Sequence, residues 1–212
     1  MIRQRVRLRF RKEGDLRWIS HRDLARAFER LFRRMNLQLS MSEGFHPKAR
    51  MSFPSALGLG IAARDEVMEF ELAEHVEAAH LAAQLATLAP PGLVVFDVQV
   101  LPENTPKAKI VSMSYEAPVP PERRDVIAQA IEQLQAQEHW WVTREDRAAP
   151  TDLKADLELL ELADGATGPV LRFRMTATHS ATVRPRDVLE AVGLGDLEHQ
   201  GHCLTRTSVA LA

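Results

Sequence analysis

Residues 2–11 alternate without a break, with Ile2, Gln4, Val6, Leu8 and Phe10 on one parity and Arg3, Arg5, Arg7, Arg9 and Arg11 on the other. Successive side chains of a strand point to opposite faces, so this period of two predicts a half-buried β-strand. Few sequence features constrain a fold more. One face must meet a core, and the other must keep five guanidinium groups solvated or paired, because desolvating an unpaired charge costs several kcal/mol. The arginines therefore face water, acidic side chains or a bound anion.

The formal net charge of -2 conceals a partition. Residues 1–50 hold fourteen Lys/Arg and five Asp/Glu, a net of +9, while the rest of the chain holds thirteen and twenty-four, a net of -11. Such asymmetry points to a nucleic-acid or membrane surface. No apolar run approaches the ~20 residues that span a bilayer, and no large apolar face accompanies the charge, so membrane binding is not expected. The first residues have no apolar stretch behind their charges and do not read as a secretory signal. The single cysteine, Cys203, allows no intramolecular disulfide and no cluster held by this chain's own thiolates. These features suggest a cytoplasmic protein.

Ser20-His21-Arg22-Asp23 has the spacing of a helix N-terminal box. The helix behind it places Leu24, Phe28, Leu31 and Met35 on one apolar face and Arg22, Arg26, Arg30, Arg33 and Arg34 on the other side. Strands are expected at Leu37–Met41, Val67–Leu72 and Leu93–Leu101, and a helix at Val76–Leu88 that Pro90-Pro91-Gly92 stops. Pro102–Pro106 reads as a linker. Beyond it, strands are expected at Ile110–Glu116, Trp140–Arg144, Leu157–Leu162, Val170–Thr178 and Cys203–Leu211. Helices are expected at Pro121–Gln137 and from Pro185 to Gly193. The predicted fold is α+β: two tandem ferredoxin-like (β-α-β-β-α-β) halves with antiparallel sheets, spanning 1–102, with the basic face, and 107–212.

Guanidinium suits phosphate because it is planar, weakly hydrated and able to donate two parallel hydrogen bonds. Alternate side chains of a strand stand about 6.6–7 Å apart, comparable with the span between neighbouring phosphates in extended nucleic acid. The outward face carries no aromatic residue, which favours backbone or shape recognition over base stacking. The alternatives are a solvated face whose arginines pair with Asp or Glu of the acidic remainder, and a surface that docks an acidic protein.

Arg7-Leu8-Arg9-Phe10, Gly14–Leu24, Ser42-Glu43-Gly44-Phe45-His46-Pro47-Lys48, Ser52-Phe53-Pro54 and Leu57-Gly58-Leu59-Gly60 together resemble the radical-SAM-linked (radical-SAM-associated) family, a domain of unknown function. The likeness is specific over residues 5–75 and weaker later, where Val183–Leu189 is the clearest match. It implies a partner: the family occurs beside, or fused to, a cobalamin-binding radical SAM enzyme and is described as RNA-associated without an established reaction. Radical chemistry would belong to the partner, since this chain lacks three closely spaced cysteines. A fold-level likeness to CRISPR repeat-cleaving endoribonucleases is more distant.

The resulting expectation is a non-catalytic RNA-binding protein, without a cofactor of its own, that works with a radical SAM enzyme in tRNA or rRNA modification. Its phosphate contacts would be Arg3, Arg5, Arg7, Arg9, Arg22, Arg26, Arg30, Lys48 and Arg50. One alternative is a docking module for the enzyme without RNA contact. The other is a metal-independent endoribonuclease, with His21 and His46 as acid and base and Lys48 stabilising the developing charge. Gly58 and Gly60 lack a third glycine or a following Gly-Lys-Ser/Thr and read as a turn. His199, His202 and Cys203 lack a fourth metal ligand. Trp140 and Trp141 read as one core and one surface ring.

Overall fold

The computed structural model describes residues 4–144, 147–177 and 183–212. It divides into two units, one running up to Ile110 and including Ala212, the other Val111–Leu211. Among the described residues, no helix is long and apolar enough to cross a membrane.

The first unit contains β1 (Gln4–Lys12), α1 (His21–Arg34), β2 (Met51–Ser52), β3 (Ala62–Leu72), α2 (Ala78–Leu88) and β4 (Leu93–Leu101). The strands lie in the order β4-β1-β3-β2, and every neighbouring pair is antiparallel. Alternation along β1 has the predicted result: Val6, Leu8 and Phe10 are fully buried. In the register with β3, Val6 opposes Phe70 and Leu8 opposes Met68, so apolar partners share the core face. Arg7 opposes Glu69 on the other face. A bulge against β4 falls at Phe96, which is half exposed and meets Arg11 at 5.8 Å.

Ser20 caps α1, its hydroxyl accepting the Asp23 N–H at 3.1 Å. The helix buries Leu24, Phe28, Leu31 and Phe32. Phe28 meets Phe10 edge-on at 5.1 Å, and Phe32 stacks on Phe70 at 4.4 Å. Each such burial contributes roughly 1.5–3 kcal/mol, which fixes the helix on one face of the sheet and leaves its arginines outward.

Two hydrogen-bonded ties, one from a side-chain amide and one between backbone groups, close this unit. The buried Gln4 amide donates to the Val76 carbonyl at 2.9 Å and accepts the Val76 N–H at 2.8 Å, tying the turn before α2 to β1. Gly92 sits at φ +83°, and its carbonyl accepts the Glu13 N–H at 2.8 Å. A Cβ there would fall 2.4 Å from the Glu13 oxygen.

The expected strand at Leu37–Met41 is replaced by isolated bridges, Leu39 to Leu72 and Met41 to Ala49. Residues 38–40 and 50–52 instead share the β3 edge. The Ser40 N–H reaches the Glu71 carbonyl, while the Glu71 N–H reaches the Arg50 carbonyl. The intervening loop 42–48 protrudes between them, closed by the Ser42 N–H to Lys48 carbonyl bond at 2.8 Å.

The second unit contains β5 (Ile110–Pro118), α3 (Arg124–Ala136), β6 (Trp141–Arg144), β7 (Arg147–Asp152), β8 (Leu157–Gly165), β9 (Gly168–Thr176), α4 (Pro185–Ala191) and β10 (Thr205–Leu211). Its strands follow the order β10-β5-β9-β8, with β6 and β7 paired as a separate hairpin. Tyr115 and Phe173 stack at 5.1 Å in its core, and the buried Arg206 donates to the Tyr115 hydroxyl at 3.1 Å. The Asp187 carboxylate accepts the Arg184 N–H at 2.7 Å to start α4. Strand β7 is not among the expected strands; it contains Pro150, which alternation-based reading does not favour in a strand. The fold is α+β, with antiparallel pairing of β5 with β9 and of β8 with β9.

Replacing Gly92 by Ala should cost about 1–3 kcal/mol, since it adds both a backbone clash and left-handed strain. Urea unfolding measures this. An unchanged midpoint would show that the Glu13 carbonyl is not held against Gly92.

Candidate functional site

The arginines divide into two sets. On β1, Arg5, Arg7 and Arg9 are paired, while Arg11 is exposed and meets the Phe96 ring. Arg7 directs Nε and Nη2 to Glu69 Oε1 at 2.9 and 2.7 Å, and Arg5 Nη2 reaches Glu69 Oε2 at 2.9 Å. Arg9 Nη1 meets Asp65 at 2.6 Å. Arg50 lies 3.8 Å from Glu71 and donates from Nε to the Met41 carbonyl. These contacts set four guanidinium groups, Arg5, Arg7, Arg9 and Arg50, against three carboxylates, Glu69, Asp65 and Glu71.

That face is also covered in part. The segment expected to be a linker crosses it: Arg5 donates to the Thr105 carbonyl, and the Ala108 N–H donates to Glu69 Oε1 at 3.2 Å. Glu69 is only 4% exposed. Burial opposes its ionisation, but the hydrogen bonds from Arg7, Arg5 and Ala108 prevail and hold the carboxyl below its ordinary value. A small cavity of about 170 Å³ beside this network is lined by Arg5, Arg50, Ser52, Glu69, Glu71 and Lys107, among others.

On α1 the arginines are exposed. At 100° per residue, Arg22, Arg26, Arg30 and Arg33 fall within an arc of about 80°, and Arg22, Arg26 and Arg30 recur about every 6 Å along the axis. Arg26 reaches Asp23 at 3.3 Å, a surface pair with both side chains more than half exposed. Such pairs contribute little to stability. The Ser20 hydroxyl, followed by Arg26 and Arg30, holds the Asp23 carboxyl below its ordinary value. Arg34 donates to the Leu88 carbonyl at 2.6 Å. Arg22, Arg30 and Arg33 form no ion pair among the described residues.

Lys48 stands at the base of the protruding loop and lines a shallow cavity of about 380 Å³ together with Arg33. Arg33 was seen in the sequence as part of the helix stripe, but nothing there indicated its proximity to Lys48. At the loop's tip, Phe45 is fully exposed and Gly44 takes φ +126°.

The other expected residues stand apart. Arg3 lies outside the described residues. His21 is exposed at the start of α1 with its ring edge-on to Phe53 at 5.0 Å, and His46 is exposed in the loop. No hydrogen bond or ring contact joins the two imidazoles. Among the described residues, no group of three or more His, Cys, Asp or Glu is arranged to hold a metal. Trp141 is exposed and Trp140 half-buried.

An α+β protein with one unit bearing two chemically different arginine sets is the class that this geometry defines. Residues 5–185 match a family described as "Uncharacterized protein conserved in bacteria (DUF2344)", and the chain belongs to that family. A comparison with curated proteins finds no match.

The Glu69 network has a pH signature. A carboxyl whose folded pKa is depressed contributes stability that is fully present above its ordinary value, about 4.5, and is lost as pH falls through the folded value. Glu69→Gln should cost roughly 3 kcal/mol at pH 7. The gap between variant and parent should narrow as the pH drops below about 4.5. Denaturant unfolding across pH 3–7 checks this; a gap independent of pH would show that Glu69 carries no charge-dependent stability.

Proposed function

We propose that the protein is a cytoplasmic, RNA-binding accessory factor whose phosphate-binding surface is the α1 stripe and Lys48, and not the β1 face. The observation that carries this reading is the set of cations Arg22, Arg30 and Arg33 on one exposed side of a helix, without ion pairs among the described residues. An RNA backbone can engage these groups without displacing carboxylates. On β1 it would have to compete with Glu69 and Asp65 and displace the segment around Thr105 and Ala108.

The partner side of the reading rests on resemblance. The likeness over residues 5–75 supports a role beside a cobalamin-binding radical SAM enzyme, presenting a tRNA or rRNA to be modified. The cobalamin and the radical chemistry would be the enzyme's. The strand orders β4-β1-β3-β2 and β10-β5-β9-β8 share one pattern, which supports reading the two units as ferredoxin-like. A docking role has its own observation: β4, at the end of its unit's strand order, leaves Val94, Phe96 and Val100 exposed. RNA on α1 and enzyme on β4 would be compatible.

Each phosphate contact contributes about 0.7–0.9 to the log–log dependence of affinity on salt. The triple variant Arg22→Gln, Arg30→Gln, Arg33→Gln should lower that slope by about 2–3 and weaken tRNA binding at least tenfold at about 100 mM salt. Arg9→Gln should leave the slope unaltered. Fluorescence anisotropy between about 50 and 200 mM salt checks both. A folded triple variant with undiminished affinity and slope would refute the proposal.

A further inference from the structure

The cavity between the C-terminal half of α1 and the loop 42–48 differs in chemistry from the rest of the basic surface. Its volume is about 380 Å³, and its walls include Glu29, Arg33, Leu39, Met41, Pro47 and Lys48. Such a volume lies within the ~300–1,000 Å³ of cavities that receive small molecules. Met41 is 48% exposed on one wall, and Leu39 is half-buried behind it. The cations are Arg33 and Lys48, neither of which forms an ion pair among the described residues. A second shallow cavity of about 400 Å³ lies against Arg30, Arg33, Arg34 and Pro90. Arg33 lines both.

Resting on the RNA reading above, we propose that these two cavities are consecutive nucleotide subsites for a single-stranded segment of RNA. The first takes one unstacked base against Met41, Leu39 and Pro47. Its phosphate lies between Arg33 and Lys48, and the next phosphate lies on the Arg30 and Arg34 side.

Three features favour this occupant. An apolar wall with cations at the rim matches a nucleotide, which has a flat, weakly polar base joined to a charged phosphate. A continuous duplex keeps its bases stacked, whereas a single strand or loop can splay one out. Glu29, the one carboxylate on the wall, would repel a phosphate but can accept a hydrogen bond from an exocyclic amine or a ribose hydroxyl, so it belongs on the base side.

Specificity for unpaired RNA then comes from the cavity, and general affinity from the helix. This distinction sets the test. Met41→Glu places a carboxylate where the base would sit, at a position exposed enough to leave folding intact. It should weaken binding of an octanucleotide single-stranded RNA tenfold or more while changing duplex RNA binding less than twofold. Arg33→Gln should weaken both RNAs and lower the salt slope by about 0.7–0.9. An octamer carrying 2-aminopurine reports on the base directly, since burial against the wall changes its fluorescence.

If the parent protein binds neither RNA, the RNA reading and the subsites both fall. If it binds RNA through α1 but Met41→Glu leaves the preference for single strands unaltered, the subsites alone fall. Displacement of bound octamer by an acidic peptide, with no displacement by adenosine monophosphate, would assign the cavity to a protein segment and overturn the proposal.

Discussion

The first unit depends on how one carboxylate is satisfied. Glu69 lies in β3 directly opposite Arg7, is almost wholly buried, and receives Arg7, Arg5 and the Ala108 N–H. A lone buried carboxylate would be neutralised or would disrupt the strand, and lone guanidinium groups on β1 would resist any cover. Together they allow a strand with charge on one side to occupy the interior of a sheet. The same contacts draw residues 105–108 across that face.

This has a consequence for function. Positive charge is a poor guide to binding unless its partners are counted. Arg5, Arg7 and Arg9 of β1 and Arg22, Arg30 and Arg33 of α1 look alike in composition, yet the former are held in ion pairs and, among the described residues, the latter are not. The proposed RNA surface follows from that difference. So does the expectation that substitutions on β1 act through stability, whereas those on α1 act through affinity and salt dependence.

Much of the first unit was legible in the sequence. The alternation over residues 2–11 identified both faces of β1, and Ser20-x-x-Asp23 located the start of α1. Strand β4 also lies where its pattern placed it. The partner of the arginine face was not legible, because Glu69 is 62 residues from Arg7 and its pairing depends on register. Nor was the division of the β3 edge between residues 38–40 and 50–52, where backbone bonds and not side-chain periodicity decide the geometry. The proximity of Arg33 to Lys48 has the same origin: the Ser42 N–H to Lys48 carbonyl bond closes the loop on itself, and side-chain periodicity does not report it. In the second unit, β6 lies within the expected Trp140–Arg144 strand, but its hairpin partner β7 was not legible, because Pro150 interrupts any alternation that would mark a strand.

Arginine-selective footprinting by mass spectrometry, with and without a bound RNA, tests the division of the arginines most directly. Reaction of a dicarbonyl reagent with guanidinium depends on whether the group is held in an ion pair. Arg22, Arg30 and Arg33 should react in the free protein and be protected by RNA, while Arg5, Arg7 and Arg9 should react slowly in both states. Rapid modification of Arg5, Arg7 and Arg9 in the free protein, suppressed by RNA, would contradict this division and return the binding surface to β1.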